Sequence, residues 1–248
     1  MGHQLENKRA LVTGGSRGIG AAIVRRLAQE GAQVAFTYVS RPDRAEETVK
    51  AAQALGVKAL AIQADSADPQ AVIAAVERTV SELGGIDILV NSAGIGVIAP
   101  LDGYRLEDLD RTLAVNVRAV FVAIQAAVKH MQAGGRIITI GSCNAERVPF
   151  VGGGVYAMSK AALVGLVKGL ARDLAPRGIT INNVQPGPVD TEMNPADSDF
   201  AKMLLQQVMA LPRYGTGEEI ASFVAWLASA ESSFMTGASL TIDGGFTA

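Results

Sequence analysis

Short apolar runs and longer alanine-rich stretches alternate through most of the chain. "RALVTG", "QVAFTY", "VKALAIQ", "IDILVN", "GRIITIG" and "ITINNVQ" are β-branched or continuously apolar and read as strands. Between them, residues 18–30, 43–55, 69–83, about 105–131 and 155–175 repeat their apolar side chains at helical spacing. Strands this apolar need cover on both faces. The alternation therefore predicts an α/β fold, a doubly wound (Rossmann) parallel sheet of about seven strands with helices on both sides. Pro69 after Asp68 marks a helix start, and Pro176 with Gly178 closes the helix over 155–175.

After "VQPGPVDTEM" the pattern breaks. "NPADSDF" is rich in Pro, Asn, Asp and Ser and precedes a Met/Leu/Gln helical pattern, which predicts a substrate lid at about 190–212. "EEIASFVAWLAS" and "SLTID" predict a last helix and a last strand. No linker, repeat or low-complexity tract divides the 248 residues, so 1–248 is read as one domain.

Charge narrows the partners. Lys and Arg total 22 against 24 Asp and Glu, with no long like-charged block, so small molecules are expected rather than nucleic acid or an anionic membrane. The single cysteine, Cys143, excludes an internal disulfide framework and suits a reducing cytoplasm. "MGHQLENKRA" has no apolar signal core, and Glu6 stands where a myristoylation pattern wants Ser or Thr. "AVFVAI" is too short to span a bilayer, and the longer helical stretches are interrupted by Lys, Arg or Gln, so a soluble, cytoplasmic protein is expected. His3 and His130 lack metal-ligand spacing, and no metal is expected.

Two stretches carry candidate chemistry. "ALVTGGSRGIGAAIVRRLAQEG" passes from a strand through a glycine-rich turn into a helix, with Gly14, Gly18 and Gly20 spaced T-G-x-x-x-G-x-G rather than G-x-G-x-x-G. Glycines allow close backbone approach, and the free N–H groups of a new helix favour a pyrophosphate, so a dinucleotide is the natural ligand. At the end of the second strand Tyr38 stands where an NAD site commonly has a carboxylate. Arg17 and Arg41, with Ser16 or Ser40 adding hydroxyls, suit a 2′-phosphate, so the cofactor is expected to be NADP(H). In "YAMSK", Tyr156 and Lys160 lie one turn apart on one helix face, where their polar tips can meet over a common ligand.

"TGGSRGIG", "NSAG" at 91–94, Asn116 in "VNV", Ser142 in "IGS", "YAMSK" and "PGPVDT" at 186–191 together resemble the short-chain dehydrogenase/reductase family over nearly the whole chain. The resemblance implies hydride transfer between NADP(H) and a carbonyl or alcohol substrate: a ketone, an aldehyde or a 3-oxoacyl thioester. It implies that Tyr156 is the general acid in reduction, Ser142 orients the substrate oxygen, and Asn116 helps hold a water leading to Lys160. A free phenol titrates near ~10, and each unit of lowering takes about 1.4 kcal/mol; by resemblance Lys160 supplies this while bonding the nicotinamide ribose. Cofactor contacts are implied for Gly14, Ser16, Arg17, Gly18, Ile19, Gly20, Tyr38, Ser40, Arg41, Asp65, Ser66, Asn91, Ala93, Gly94, Tyr156, Lys160, Pro186, Gly187 and Val189, and for Thr191 toward the carboxamide.

Three departures bear on substrate shape: Ser92 replaces the more usual second Asn of "NNAG", the Ser142–Tyr156 interval is one residue longer than in many members, and "GGG" precedes Tyr156. Cys143 has no His and acid companions and reads as small buried filler rather than a nucleophile. "GGSRGIG" and "TGASLTIDGGF" resemble the branch containing 3-oxoacyl-thioester reductases, in which a carrier protein would dock on basic residues, here Arg105, Arg111, Arg118 and Arg147. "ITINNVQPGP", "NPA" and "FVAWLAS" resemble a bacterial subgroup that includes a cyclic-di-GMP-binding regulator of biofilm dispersal, which gives the alternative function. Ala161, Ala162, Gly165 and Gly169 permit close helix approach on the Tyr156 helix, and a homotetramer, or else a dimer, is expected.

Overall fold

In the computed structural model, which describes residues 4–248, the apolar runs become strands and the periodic segments become helices. His3 lies outside the described residues. The order is β1 (Arg9–Thr13), α1 (Gly18–Gln29), β2 (Gln33–Tyr38), α2 (Pro42–Gln53), β3 (Ala59–Gln63), α3 (Pro69–Leu83) and β4 (Ile88–Asn91). Then come α4 (Leu106–Leu113), α5 (Ala119–Ala127), β5 (Arg136–Ile140), α6 (Gly154–Leu174), β6 (Thr180–Pro186), α7 (Asp199–Gln207), α8 (Gly217–Ala228) and β7 (Ser239–Ile242). All seven strands run parallel in the order β3-β2-β1-β4-β5-β6-β7. The chain winds one way from β1 to β3, then crosses back to place β4 against β1. That reversal opens a crevice at the carboxyl ends of β1 and β4.

Alternate strand residues feed two cores. Val12, Val34, Phe36, Val90 and Val184 pack with Ile23 and Leu27 of α1 and with Ile220 and Val224 of α8. Leu11, Leu89, Ile137 and Ile181 face the other way, onto Val76 of α3, Ile124 of α5 and Leu163 and Val167 of α6. Each fully buried side chain of this size stabilises the fold by about 1.5–3 kcal/mol, which is why the strands tolerate so few polar residues.

The exception is a row across the sheet. Thr13, Asn91, Thr139, Asn183 and Ser239 are register partners in successive strands, and all but Ser239 are buried. The Thr139 hydroxyl donates to Asn183 Oδ1 at 2.9 Å, Asn183 Nδ2 donates to Ser239 at 3.3 Å, and Thr13 Oγ1 accepts from Ser92 N and Ala93 N at 3.0 and 3.1 Å. β1 and β4 end at this row and release their loops into the crevice, whereas β6 and β7 run on to Pro186 and Ile242.

Two sequence expectations are modified. The segment expected as one helix over about 105–131 contains a wide π-helical turn, Ala114–Arg118, between α4 and α5, and Asn116 sits inside it. Such turns insert an extra residue and re-aim a side chain. The expectation that no helix could span a bilayer also fails on length and composition alone, because 154–177 is long and apolar enough. In the fold that segment packs one side through Leu163, Val167, Ala171 and Leu174 against the sheet. Its other side carries Ala161, Ala162, Gly165 and Gly169 in exposed positions, so these small residues are not used for packing inside the subunit.

Candidate active site

At the crevice the Gly14 turn is pinned to β2: Gly14 N donates to Thr37 Oγ1 at 3.0 Å and Gly15 N to Thr37 O at 2.9 Å. Gly14 has φ +70°, and a Cβ there would lie 2.9 Å from Ala93 Cα in the loop after β4. A Cβ on Gly20 would collide with the Gly14 carbonyl oxygen. Helix α1 starts at Gly18 with no side-chain cap on its first turn. A flat glycine turn feeding an uncapped helix N-terminus is a cradle for a pyrophosphate, so the residues present fit a dinucleotide. The cleft above it has a volume of about 750 Å³.

One end of this cleft is lined by Tyr38, Ser40, Arg41, Asp65 and Ser66, beside Ser16, Arg17, Gly18, Ile19 and Gly20 of the turn. Both arginines expected to meet a 2′-phosphate are engaged by carboxylates. Arg41 forms a two-pronged pair with Asp43 at 2.6 and 3.0 Å, which holds the Asp43 carboxyl at about 2, and Arg17 lies 3.5 Å from Glu192. These pairs are exposed and therefore weak, about 0–1 kcal/mol each, so a phosphate can replace either carboxylate. Asp65 accepts from Ala67 N at 2.9 Å through one oxygen, while the other lies 3.4 Å from Arg111.

Farther along the cleft, Ala93, Gly94, Pro186, Gly187, Val189 and Thr191 form the walls around Ser142, Tyr156 and Lys160. Ser142 lies two residues past the end of β5 and caps a short helical turn, accepting from Asn144 N at 3.1 Å and donating to Asn144 Oδ1 at 3.2 Å. Tyr156 is half-buried. Lys160 is buried beneath it, its Nζ 5.8 Å from the phenol ring centroid and donating to the Ile140 carbonyl at 2.9 Å. A Cβ on Gly94 would lie 3.4 Å from that Nζ and 3.5 Å from Asn116 Oδ1.

Burial pushes the Tyr156 phenol above its ordinary value, and the facing Ser142 hydroxyl opposes the shift. Lys160 is itself desolvated, which pulls its ammonium down from 10.5 to about 8, and it donates to a main-chain carbonyl.

Neither Asn91 nor Asn116 lines the cleft. Asn91 is buried in the polar row with its Nδ2 unpartnered. Asn116 clamps the loop after β4, accepting from Ile95 N and donating to Ile95 O, both at 2.9 Å, and donates to Ser159 at 3.0 Å. The four arginines offered for carrier docking are each engaged: Arg105 faces Glu107, Arg111 faces Asp65, Arg118 donates to Ala67 O and Arg147 to Phe246 O. Cys143 is buried with its thiol pushed up to about 12, which makes it filler. His130 faces Glu77 at 2.9 Å, and no metal-ligating cluster occurs among the described residues.

The sequence reading missed the apolar end of the cleft, where Ile98, Phe150, Met193, Phe200, Leu204 and Phe246 line the wall. Phe200 and Leu204 belong to α7, within the segment read as a lid, and an apolar period there was the available signal.

A family model described as "Enoyl-(Acyl carrier protein) reductase" matches residues 14–247. The chain belongs to the short-chain dehydrogenase/reductase family. It is 50% identical over 241 residues to the cyclic-di-GMP-binding biofilm dispersal mediator protein of Escherichia coli (strain K12), covering 97% of this chain and 98% of that one. Among solved structures, a short-chain dehydrogenase/reductase from Serratia marcescens is 63% identical, with TM-score 0.98 over 99% of this chain and 100% of that one. A short chain dehydrogenase from Burkholderia cenocepacia in complex with NADP is 55% identical, with TM-score 0.97 over 99% of this chain and 100% of that one.

The Lys160 environment makes a prediction about stability. A cation whose folded value is depressed opposes folding below that value, and the opposition fades as pH rises from about 8 to 10.5, because over that window only the unfolded chain holds the extra proton. Lys160→Met is expected to raise the melting temperature at pH 7, by a free energy on the order of a few kcal/mol before packing losses. The advantage is expected to shrink in melts at pH 9 and 10. An advantage independent of pH would mean that the buried amine is not the cause.

Proposed function

We propose that this oxidoreductase reduces a carbonyl to an alcohol, with NADPH as the cofactor and Tyr156 as the proton donor. One arrangement carries the reading: Ser142, Tyr156 and Lys160 line the same cleft as the uncapped Gly14–Gly20 turn. When bound, NADPH supplies the hydride that adds to the carbonyl carbon. Ser142 donates to the substrate oxygen and aims it at the phenol; Tyr156 gives that oxygen its proton and takes one back in the reverse direction. Lys160 offers a donor from beneath the ring to a ribose hydroxyl and returns a proton toward Tyr156. Asn116 keeps the Ile95 backbone in place as the cleft wall.

Tyr156→Phe removes the donor and keeps the ring. It is expected to lower kcat by about 10²–10⁴ while NADPH binding, followed by fluorescence titration, stays within about threefold. Full activity in this variant would end the acid assignment.

The preference for NADPH rests on Tyr38 at the end of β2 and on Arg17 and Arg41 at that end of the cleft. In the double variant Arg17→Ala, Arg41→Ala, NADPH affinity is expected to fall by about tenfold or more while NADH affinity holds. Equal losses for both nucleotides would remove these side chains from phosphate recognition.

The Escherichia coli relative favours a second reading, in which the same fold binds cyclic-di-GMP and regulates. Behind the glycine turn lies a polar crevice with Arg17, Arg25 and Arg44 on its rim, each within ion-pair distance of Glu192, Glu218 or Glu47. With Asp190 there as well, the crevice carries more carboxylates than arginines, which supports the reductase over a second phosphate ligand. Tight cyclic-di-GMP binding without NADPH-dependent turnover would reverse the order.

We also propose a cytoplasmic homotetramer. The exposed small-residue face of α6, together with exposed Phe121 and Phe234, supports assembly. Light scattering is expected to return four times the chain mass; a monomer at micromolar concentration would defeat the proposal.

A further inference from the structure

Charge is distributed unevenly in the cleft. Its lining contains Arg17, Arg41, Asp65, Arg111, Lys160 and Glu192 as the charged side chains, and all but Lys160 lie around the glycine turn or the end of β2. Lys160 is buried and turned to the Ile140 carbonyl. Beyond Tyr156 the wall is mostly apolar, with uncharged Asn144 and Asn194 in the lining, and Arg147, which is not among the lining residues, is engaged by the Phe246 and Ala248 carbonyls. A carboxylate or phosphate brought to that end would lose water and gain no cation.

Two rings shape this end. Phe150 and Phe200 meet edge to face, with centroids 5.3 Å apart and planes at 87°. Phe150 is seated on the head of the catalytic helix: a Cβ on Gly153 would lie only 2.6 Å from its Cε2, so the glycine just before α6 is what lets the ring settle there. Phe200 projects from α7, which is anchored by buried Ala201 and Leu204 against Phe246 and Cys143. Phe200 itself remains 40% exposed. One ring therefore sits against the head of the Tyr156 helix and the other on α7, and a third ring can stack on either face while meeting the edge of the other.

Resting on the carbonyl-reductase reading, we propose that this end is an aryl subsite: Phe150 and Phe200 receive the uncharged aromatic substituent of a ketone, and Phe200 sets its size. The subsite selects against anionic substrates.

Calorimetry on the protein saturated with NADP+, which prevents reduction, tests binding apart from turnover. Acetophenone is expected to bind at least about tenfold more tightly than para-acetylbenzoate, because the carboxylate meets no cation. Phe200→Leu is expected to weaken acetophenone about three- to tenfold, with a smaller change for butanone, whereas Phe200→Tyr, which keeps the ring, retains acetophenone affinity. Retained NADP+ affinity and melting temperature in both variants separate lost recognition from lost folding. Preference for para-acetylbenzoate, or equal losses for acetophenone and butanone in Phe200→Leu, would overturn the proposal. Should Tyr156→Phe keep its activity while these rankings hold, the acid assignment fails and the subsite stands.

Discussion

The backbone of Gly14 and the backbone of Ala93 meet with no space for a side-chain carbon between them. That contact joins the loops leaving β1 and β4, the two strands at which the chain reverses its winding. Everything in the cleft is referred to it. The turn must be flat for α1 to present its free N–H groups, and the loop after β4 must lie close for Gly94 to clear Lys160 and Asn116. The Thr13 hydroxyl, accepting from both Ser92 and Ala93, stitches the same junction from beneath. A larger residue at Gly14 would have to push the facing backbones away from each other, and neither can rotate aside as a side chain can.

From that junction the polar row across the sheet reaches to β7, and the proposed catalytic groups, Ser142, Tyr156 and Lys160, line the cleft beside it. Ser142 follows the end of β5, so its position is set by sheet register rather than by a loop's preference. Tyr156 and Lys160 share one face of α6, and the helix holds them in fixed relation while Leu163 and Val167 bind it to the core. Burying Lys160 opposes folding, since its ammonium gives up water for a single carbonyl. Burial likewise pushes the phenol above its ordinary value. Stability and chemistry thus pull in opposite directions at one site, the usual mark of a group retained for function.

The two ends of the cleft follow different rules. At the turn, recognition is polar and its arginines are lightly held by Glu192 and Asp43, ready to exchange partners. Past Tyr156 the wall is mostly apolar and shaped by aromatic rings, so shape and desolvation decide what fits. Glu192 and Phe200 both belong to the stretch from Pro186 through α7, so one stretch of chain reaches both ends.

The parallel sheet, the glycine turn and the "YAMSK" pair were legible in the sequence, because strand and helix periods are local and Gly14, Gly18 and Gly20 need no distant partner to reveal a tight turn. The interruption around Asn116 was not, since a π-helical turn preserves helical composition while shifting the face. The polar row escaped for a related reason: Thr13, Asn91, Thr139 and Asn183 each look like an ordinary strand-end residue until register aligns them. That Lys160 acidifies Tyr156 was implied by the family resemblance, whereas the lowering of its own ammonium comes from burial, a property of all the elements around it. The charge pairs of Arg17 and Arg41, and the meeting of Phe150 with Phe200, likewise depended on which loops the sheet brings together. Sequence by itself determined the periods, the turn and the chemical types present; tertiary structure decided which of those groups share a dielectric and a volume, because both are set by neighbours remote along the chain.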